Sequence, residues 1–187
     1  MPATPATPAT PATPALRLTG PAKRPQDFGF TSGDTHLVVN DAAESLRAFA
    51  FGGAQLFTIP ALARGQGREN QWTETNTDTP PGLYKIDTIY DDVARVGLSP
   101  PYDRTLQSYG WISFDLEELE AQERRHNRAG IMMHGGGSAC GWPAAWAPRQ
   151  PLHPTYGCIR IHNVDLRDRI LPLTQTGTVF VSVYQER

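Results

Sequence analysis

Proline and glycine interrupt this chain at short intervals, 17 of each in 187 residues. That density favours a loop-rich β domain over a helical bundle. The punctuation is heaviest at the start, where residues 2–13 are four copies of Pro-Ala-Thr followed by Pro14-Ala15. Proline at every third position fixes φ and removes backbone donors, so this stretch is expected to be extended and solvated. It has neither a basic n-region nor a long apolar h-region, and so does not read as a secretory signal peptide. Residues 1–30 are expected to form a flexible N-terminal segment and residues 31–187 a single domain.

Within that domain the apolar residues recur with period two. His36 to Val39 reads as a short strand, and the runs Leu46–Phe51 and Gln55–Ala61 flank Gly52-Gly53 as a hairpin would. Asp78 to Gly82 reads as a turn, and Leu83 to Ile86 and Trp111 to Phe114 as strands. Leu116 to His126 is the most helix-like run, and Asp165 is expected to cap a short helix carrying Leu166 and Ile170, with Asp168 at the capping-box position. In Thr178 to Tyr184, Val179, Val181 and Val183 share one face while Phe180, Ser182 and Tyr184 share the other. Residues 135–157 hold five Gly and four Pro, too many for regular structure. The sum is a mostly β domain with one or two small helices and a long irregular insertion before Cys158.

Charge and composition remove several function classes. Seventeen basic against 19 acidic residues, a net charge of -2, leave no basic field to drive nucleic-acid binding. No apolar run approaches the length of a membrane span. Two cysteines rule out a disulfide scaffold and a four-cysteine zinc site.

The chemistry concentrates late in the chain. Four of the five His and both Cys fall between residues 126 and 162. The densest features are His134-Gly135-Gly136-Gly137 and Thr155-Tyr156-Gly157-Cys158-Ile159-Arg160-Ile161-His162-Asn163. A thiol attacks as the thiolate, which needs a base and a site that stabilises negative charge. Gly157 permits a tight turn that can aim successive backbone N–H groups at one spot. Arg160 adds positive potential. His134 ends an apolar run, as a group on a rigid strand end would, and the glycines after it leave room for a substrate backbone.

His134-Gly135, followed 24 residues on by the Thr155–Asn163 stretch around Gly157-Cys158, resembles the L,D-transpeptidase catalytic domain of the YkuD type. Thr79-Pro80-Pro81-Gly82 looks like the turn that follows the family's N-terminal hairpin. The resemblance implies a mainly β, YkuD-like β-sandwich with one or two short helices and a long loop before the nucleophile. It implies cysteine-dependent acyl transfer on peptidoglycan stem peptides, at the L-to-D amide before terminal D-Ala. An amine acceptor then gives a 3-3 crosslink or D-amino acid exchange, and water gives L,D-carboxypeptidase action. By carry-over Cys158 is the nucleophile and His134 the base. The backbone N–H groups of Gly157 and Cys158 form the oxyanion site, and Arg160, Tyr156, Gly135 and Asn163 position loop or substrate. Many members carry His immediately before the Gly-Cys pair; Tyr156 stands there in this chain. The loop between His134 and Cys158 is long and holds Cys140, Trp142, Trp146 and His153, with Trp142 and Trp146 as loop anchors or substrate platforms. No cofactor and no metal are needed.

Two other readings remain at this level. His134, Cys140, His153, Cys158 and His162 could supply a zinc hydrolase, although their gaps match no common zinc pattern. A non-catalytic peptidoglycan-binding module would bind stem peptides and leave their mass unchanged. Cys140 is either a lone thiol or an oxidised partner of Cys158. Peptidoglycan as substrate implies the periplasm or cell-wall space. If the chain is a secreted effector, its partners are secretion machinery and an immunity protein.

Overall fold

The computed structural model describes residues 18–67, 72–91, 108–137, 141 and 143–186. Nine strands form in chain order: β1 (Leu18–Thr19), β2 (Thr35–Asn40), β3 (Ser45–Ala50), β4 (Gln55–Leu62), β5 (Gly82–Asp91), β6 (Ile112–Glu118), β7 (Met132–His134), β8 (Ile159–Ile161) and β9 (Val179–Glu186). They hydrogen-bond in the order β1-β9-β2-β3-β4-β8-β7-β6-β5, and β5 pairs back onto β9. The sheet therefore closes into a ring, with β1 extending the edge of β9 past β5 at Glu186 and Gln185. Closure removes the open edges that a sheet otherwise presents. Two pairs are parallel, β2 with β9 and β7 with β8; the others are antiparallel.

The expected mainly β, YkuD-like fold is the one observed. The hairpin around Gly52-Gly53 is β3–β4, with Gly53 at φ +83 in the turn. Val179, Val181 and Val183 all face the core, where they meet Leu37, Val39, Leu46, Phe114, Met133, Ile159 and Ile161. Each such side chain contributes about 1.5–3 kcal/mol on burial. Phe180, on the opposite face, joins Phe30 and Leu83 in a second, smaller cluster.

Two expectations about helices are corrected. Leu116 to Glu118 belongs to β6, because Ile112, Phe114 and Leu116 enter the core at period two and Leu116 pairs with Ile86. Of the Leu116–His126 run, only α1 (Gln122–His126) is helical, bracketed by left-handed Ala121 (φ +55) and Asn127 (φ +51). The second helical region starts at Asn163, two residues before the expected cap, and runs through Asn163–Asp165, Leu166–Ile170 and Leu171–Gln175. Asp165 does not cap it; its buried carboxylate pairs with Arg149 at 3.1 Å. Asp168 pairs with Arg167 at 2.6 Å. Leu166 and Ile170, one turn apart, insert into the core as expected.

Candidate active site

The parallel pair β7–β8 builds the site. Met133 pairs with Ile159 and His134 with Arg160. Met133 and Ile159 point into the core. Alternation along a strand then puts His134, Cys158 and Arg160 on the opposite face. Strand β6 adds Ser113 opposite His134 and Asp115 opposite Met132. Residues 24 apart in sequence thus share one face because a parallel crossover lays β8 beside β7, with Cys158 level with Met132 and two residues short of His134.

Cys158 leaves a tight turn just before β8. The Thr155 hydroxyl accepts from the Gly157 N–H at 2.9 Å and donates to the Cys158 carbonyl at 2.7 Å. Gly157 sits at φ +112, and a Cβ there would collide with Nη2 of Arg128. Its N–H is engaged by Thr155, so the expected oxyanion pair of Gly157 and Cys158 loses its first donor in this arrangement. The Cys158 thiol is half-buried and points at the Gly130 carbonyl, with Sγ 3.8 Å away. Burial pushes the thiol pKa up; the Met132 N–H, Arg128 and Arg160 pull it down, and Asp115 pushes it further up.

His134 is 4% exposed. Its Nδ1 lies 2.9 Å from the Gly135 carbonyl, which only accepts, so the neutral ring protonates Nδ1 and keeps its lone pair on Nε2. Its pKa is pushed down to about 3, by burial first and the Arg160 charge second, against the Gly135 and Ser108 carbonyls. Tyr109 packs edge-on against the ring at 5.0 Å between centroids. The phenol's own pKa is raised by burial first and by the charge of Cys158 second.

Arg160 secures the segment after His134. Its Nη1 donates to the carbonyls of Gly135 at 2.6 Å and Gly136 at 2.7 Å, and its Nε to the His153 carbonyl at 2.8 Å. Asn163 is fully buried and ties the neighbouring loops. Its Oδ1 accepts from Gly136 and Trp111, and its Nδ2 donates to Ala145 and Ala147. A Cβ at Gly135 would run into that same Oδ1. The glycine therefore makes room for Asn163, where a substrate backbone was expected.

The remaining candidates divide. Tyr156 is 68% exposed, and what is held is its carbonyl. Trp146 is a loop anchor: its carbonyl accepts from Trp111 Nε1 at 2.8 Å, and the two rings lie 6.5 Å apart. His162 contacts the Gln150 carbonyl through Nδ1 at 2.9 Å. Trp142 and Cys140 lie outside the described residues. Among the described residues no group of three His, Cys, Asp or Glu is placed to hold a metal ion, so the described members of the zinc set do not converge. Sequence reading missed Arg128, Gln150, Tyr109 and Asp115. Only Asp115 had a usable signal, its position in an alternating strand.

A family model, the L,D-transpeptidase catalytic domain (YkuD), matches residues 34–181. Among solved structures, the helical cell shape determining protein Pgp2 from Campylobacter jejuni aligns with a TM-score of 0.53 and 17% identity, over 80% of this chain and 46% of that one. A point mutant of the same protein aligns at 0.51 with 18% identity, over 80% and 46%. Mycobacterium tuberculosis L,D-transpeptidase 1 aligns at 0.39 with 14% identity, over 80% and 62%. The likeness to Pgp2 is one of fold, and the chain spans about half the length of that structure. No curated protein matches the chain.

Proposed function

Because the chain belongs to the L,D-transpeptidase catalytic domain family, we propose that it carries out cysteine-dependent acyl transfer on peptidoglycan stem peptides, with residues 31–187 as the catalytic unit. The observation that carries this reading is the β7–β8 register, which sets Cys158 and His134 on one face of neighbouring strands, two residues apart along them. In the reaction Cys158 Sγ attacks the carbonyl of the L-to-D amide, and its proton passes to Nε2 of His134. The Cys158 N–H faces the developing oxyanion. The C–N bond breaks, His134 returns the proton to the departing D-Ala amine, and a thioester remains on Sγ. An acceptor amine or water then attacks the thioester. His134 removes the acceptor's proton and delivers it to Sγ as the new bond forms.

The resting pair is uncharged. His134 is neutral far below pH 7, and the thiol is raised by burial. Proton transfer therefore accompanies attack instead of preceding it. Such a pair is protected from random oxidation, since the thiolate is the oxidisable form. Peptidoglycan as substrate places the reaction in the cell-wall space.

Mass spectrometry of purified tetrapeptide muropeptides, incubated with the protein and with Cys158→Ala, tests the proposal. Loss of D-Ala or a new 3-3 dimer is expected with the intact protein alone. The same product with Cys158→Ala would overturn it.

A further inference from the structure

The turn that presents Cys158 is braced by a side chain that the sequence gives no reason to notice. Arg128 lies in the link between α1 and β7 and is 5% exposed. Its Nη1 donates to the Glu74 carbonyl at 2.7 Å and to Thr77 Oγ1 at 3.0 Å, with the Trp72 and Asp78 carbonyls at 3.4 Å. Its Nη2 donates to the Tyr156 carbonyl at 3.1 Å, two residues before Cys158. The guanidinium also occupies the space where a Gly157 side chain would stand. One planar fork thus joins the 72–78 loop to the nucleophile turn, and glycine at 157 is what lets it approach.

We propose that Arg128 is a positioning residue for the nucleophile: by clamping the Tyr156 carbonyl to the 72–78 loop it fixes the turn that aims Cys158, and it places a buried positive charge behind that turn. The geometry suits no other cation. Arginine is a rigid planar fork with five donors, whereas lysine presents a compact ammonium that cannot span two sets of acceptors. Burying a guanidinium is costly, and here the cost is offset by several carbonyls of one loop and one of the turn, with the Asp78 charge also favouring the cation. The charges of Arg128 and Cys158 act on each other, so the cation favours a thiolate. Among the described residues, the charged and titratable groups facing Cys158 are Arg128 from the α1–β7 link, Arg160 from β8, Asp115 from β6, His134 from β7, and Tyr109. Arg160 spends its fork on the loop after His134. Arg128 donates to the turn directly, at the Tyr156 carbonyl.

This inference rests on Cys158 being the nucleophile, so the test reads the thiol as well as turnover. Arg128→Gln and Arg128→Lys are made in a Cys140→Ser background, and the alkylation rate of Cys158 by iodoacetamide is followed against pH, alongside kcat on tetrapeptide muropeptides. Loss of the charge in Arg128→Gln is expected to move the alkylation midpoint upward and slow alkylation near neutral pH by about tenfold, the equivalent of one pKa unit. Arg128→Lys is expected to restore the midpoint while kcat stays at least about tenfold low, because the clamp is lost. An unchanged midpoint in folded Arg128→Gln, or full turnover in Arg128→Lys, would overturn the proposal. Should Arg128→Gln fail to fold, the Lys variant decides alone: reduced kcat with a wild-type midpoint and melting temperature supports the clamp, and wild-type kcat refutes it. If muropeptides are not turned over by the parent protein, the functional reading fails while the alkylation midpoints still report on Arg128.

Discussion

Burial decides the resting protonation of the two residues on which the proposed chemistry depends. The same low-dielectric surroundings that hold His134 neutral also hold Cys158 as a thiol, although two guanidiniums favour the thiolate. With His134 at about 3, kcat/KM is expected to stay flat as pH falls from 8 to 5, since the base remains unprotonated throughout. A fall with a midpoint near the ordinary histidine value would show that the ring is not buried in the working enzyme. The linked stability has a definite sign. A histidine whose folded pKa is depressed binds fewer protons folded than unfolded between its two pKa values. Its contribution is intact above about pH 6.5 and is lost as pH falls towards the folded value. The melting temperature should therefore drop over that window, and less so in His134→Gln. Among the residues, Cys158 and His134 could be singled out as candidates because a nucleophile and a base need particular chemical types at particular spacings, and the fold sets the two on one face. Arg128 could not, because its partners are main-chain carbonyls, which leave no pattern in side-chain identity.

Strands and turns show where local pattern suffices and where it does not. The β9 valines and the Gly52-Gly53 hairpin could be read directly, because alternation and turn glycines are local signals. Leu116 to Glu118 misled, since its charged residues suit an exposed helix as well as the outer face of a strand; pairing with β5 decides it. The start of the helical region at Asn163 was equally hidden. It depends on a side chain that serves the 110–111, 136 and 145–147 segments at once. Asn163→Ala would strand two N–H groups and two carbonyls, each costing about 1–3 kcal/mol when buried unpaired. A loss of at least about 3 kcal/mol is expected in denaturant unfolding, with faster amide exchange at Gly136 and Trp111. Exchange rates equal to wild type at both amides would mean that Asn163 is not the tie between these loops.

Over the whole molecule, ring closure explains how the site stays rigid while sitting among glycines. β7 and β8 are three residues each, too short to be stable alone. They are held because β6 and β4 flank them in a sheet that runs unbroken through β9 back to β5. Closure could not be read from the sequence, since it depends on β5 and β9 meeting, two strands about a hundred residues apart that match through shape and register alone. The site that this frame supports is proposed to act through a covalent intermediate on one sulfur. Intact-protein mass spectrometry within the first turnovers, after mixing with a tetrapeptide stem, tests that claim most directly. A mass gain equal to the acyl tripeptide, mapped to Cys158 by peptide digestion and absent from Cys158→Ala, is the expected result. Turnover of the stem with no adduct on Cys158 under conditions that trap thioesters, or an adduct on another residue, would contradict the account.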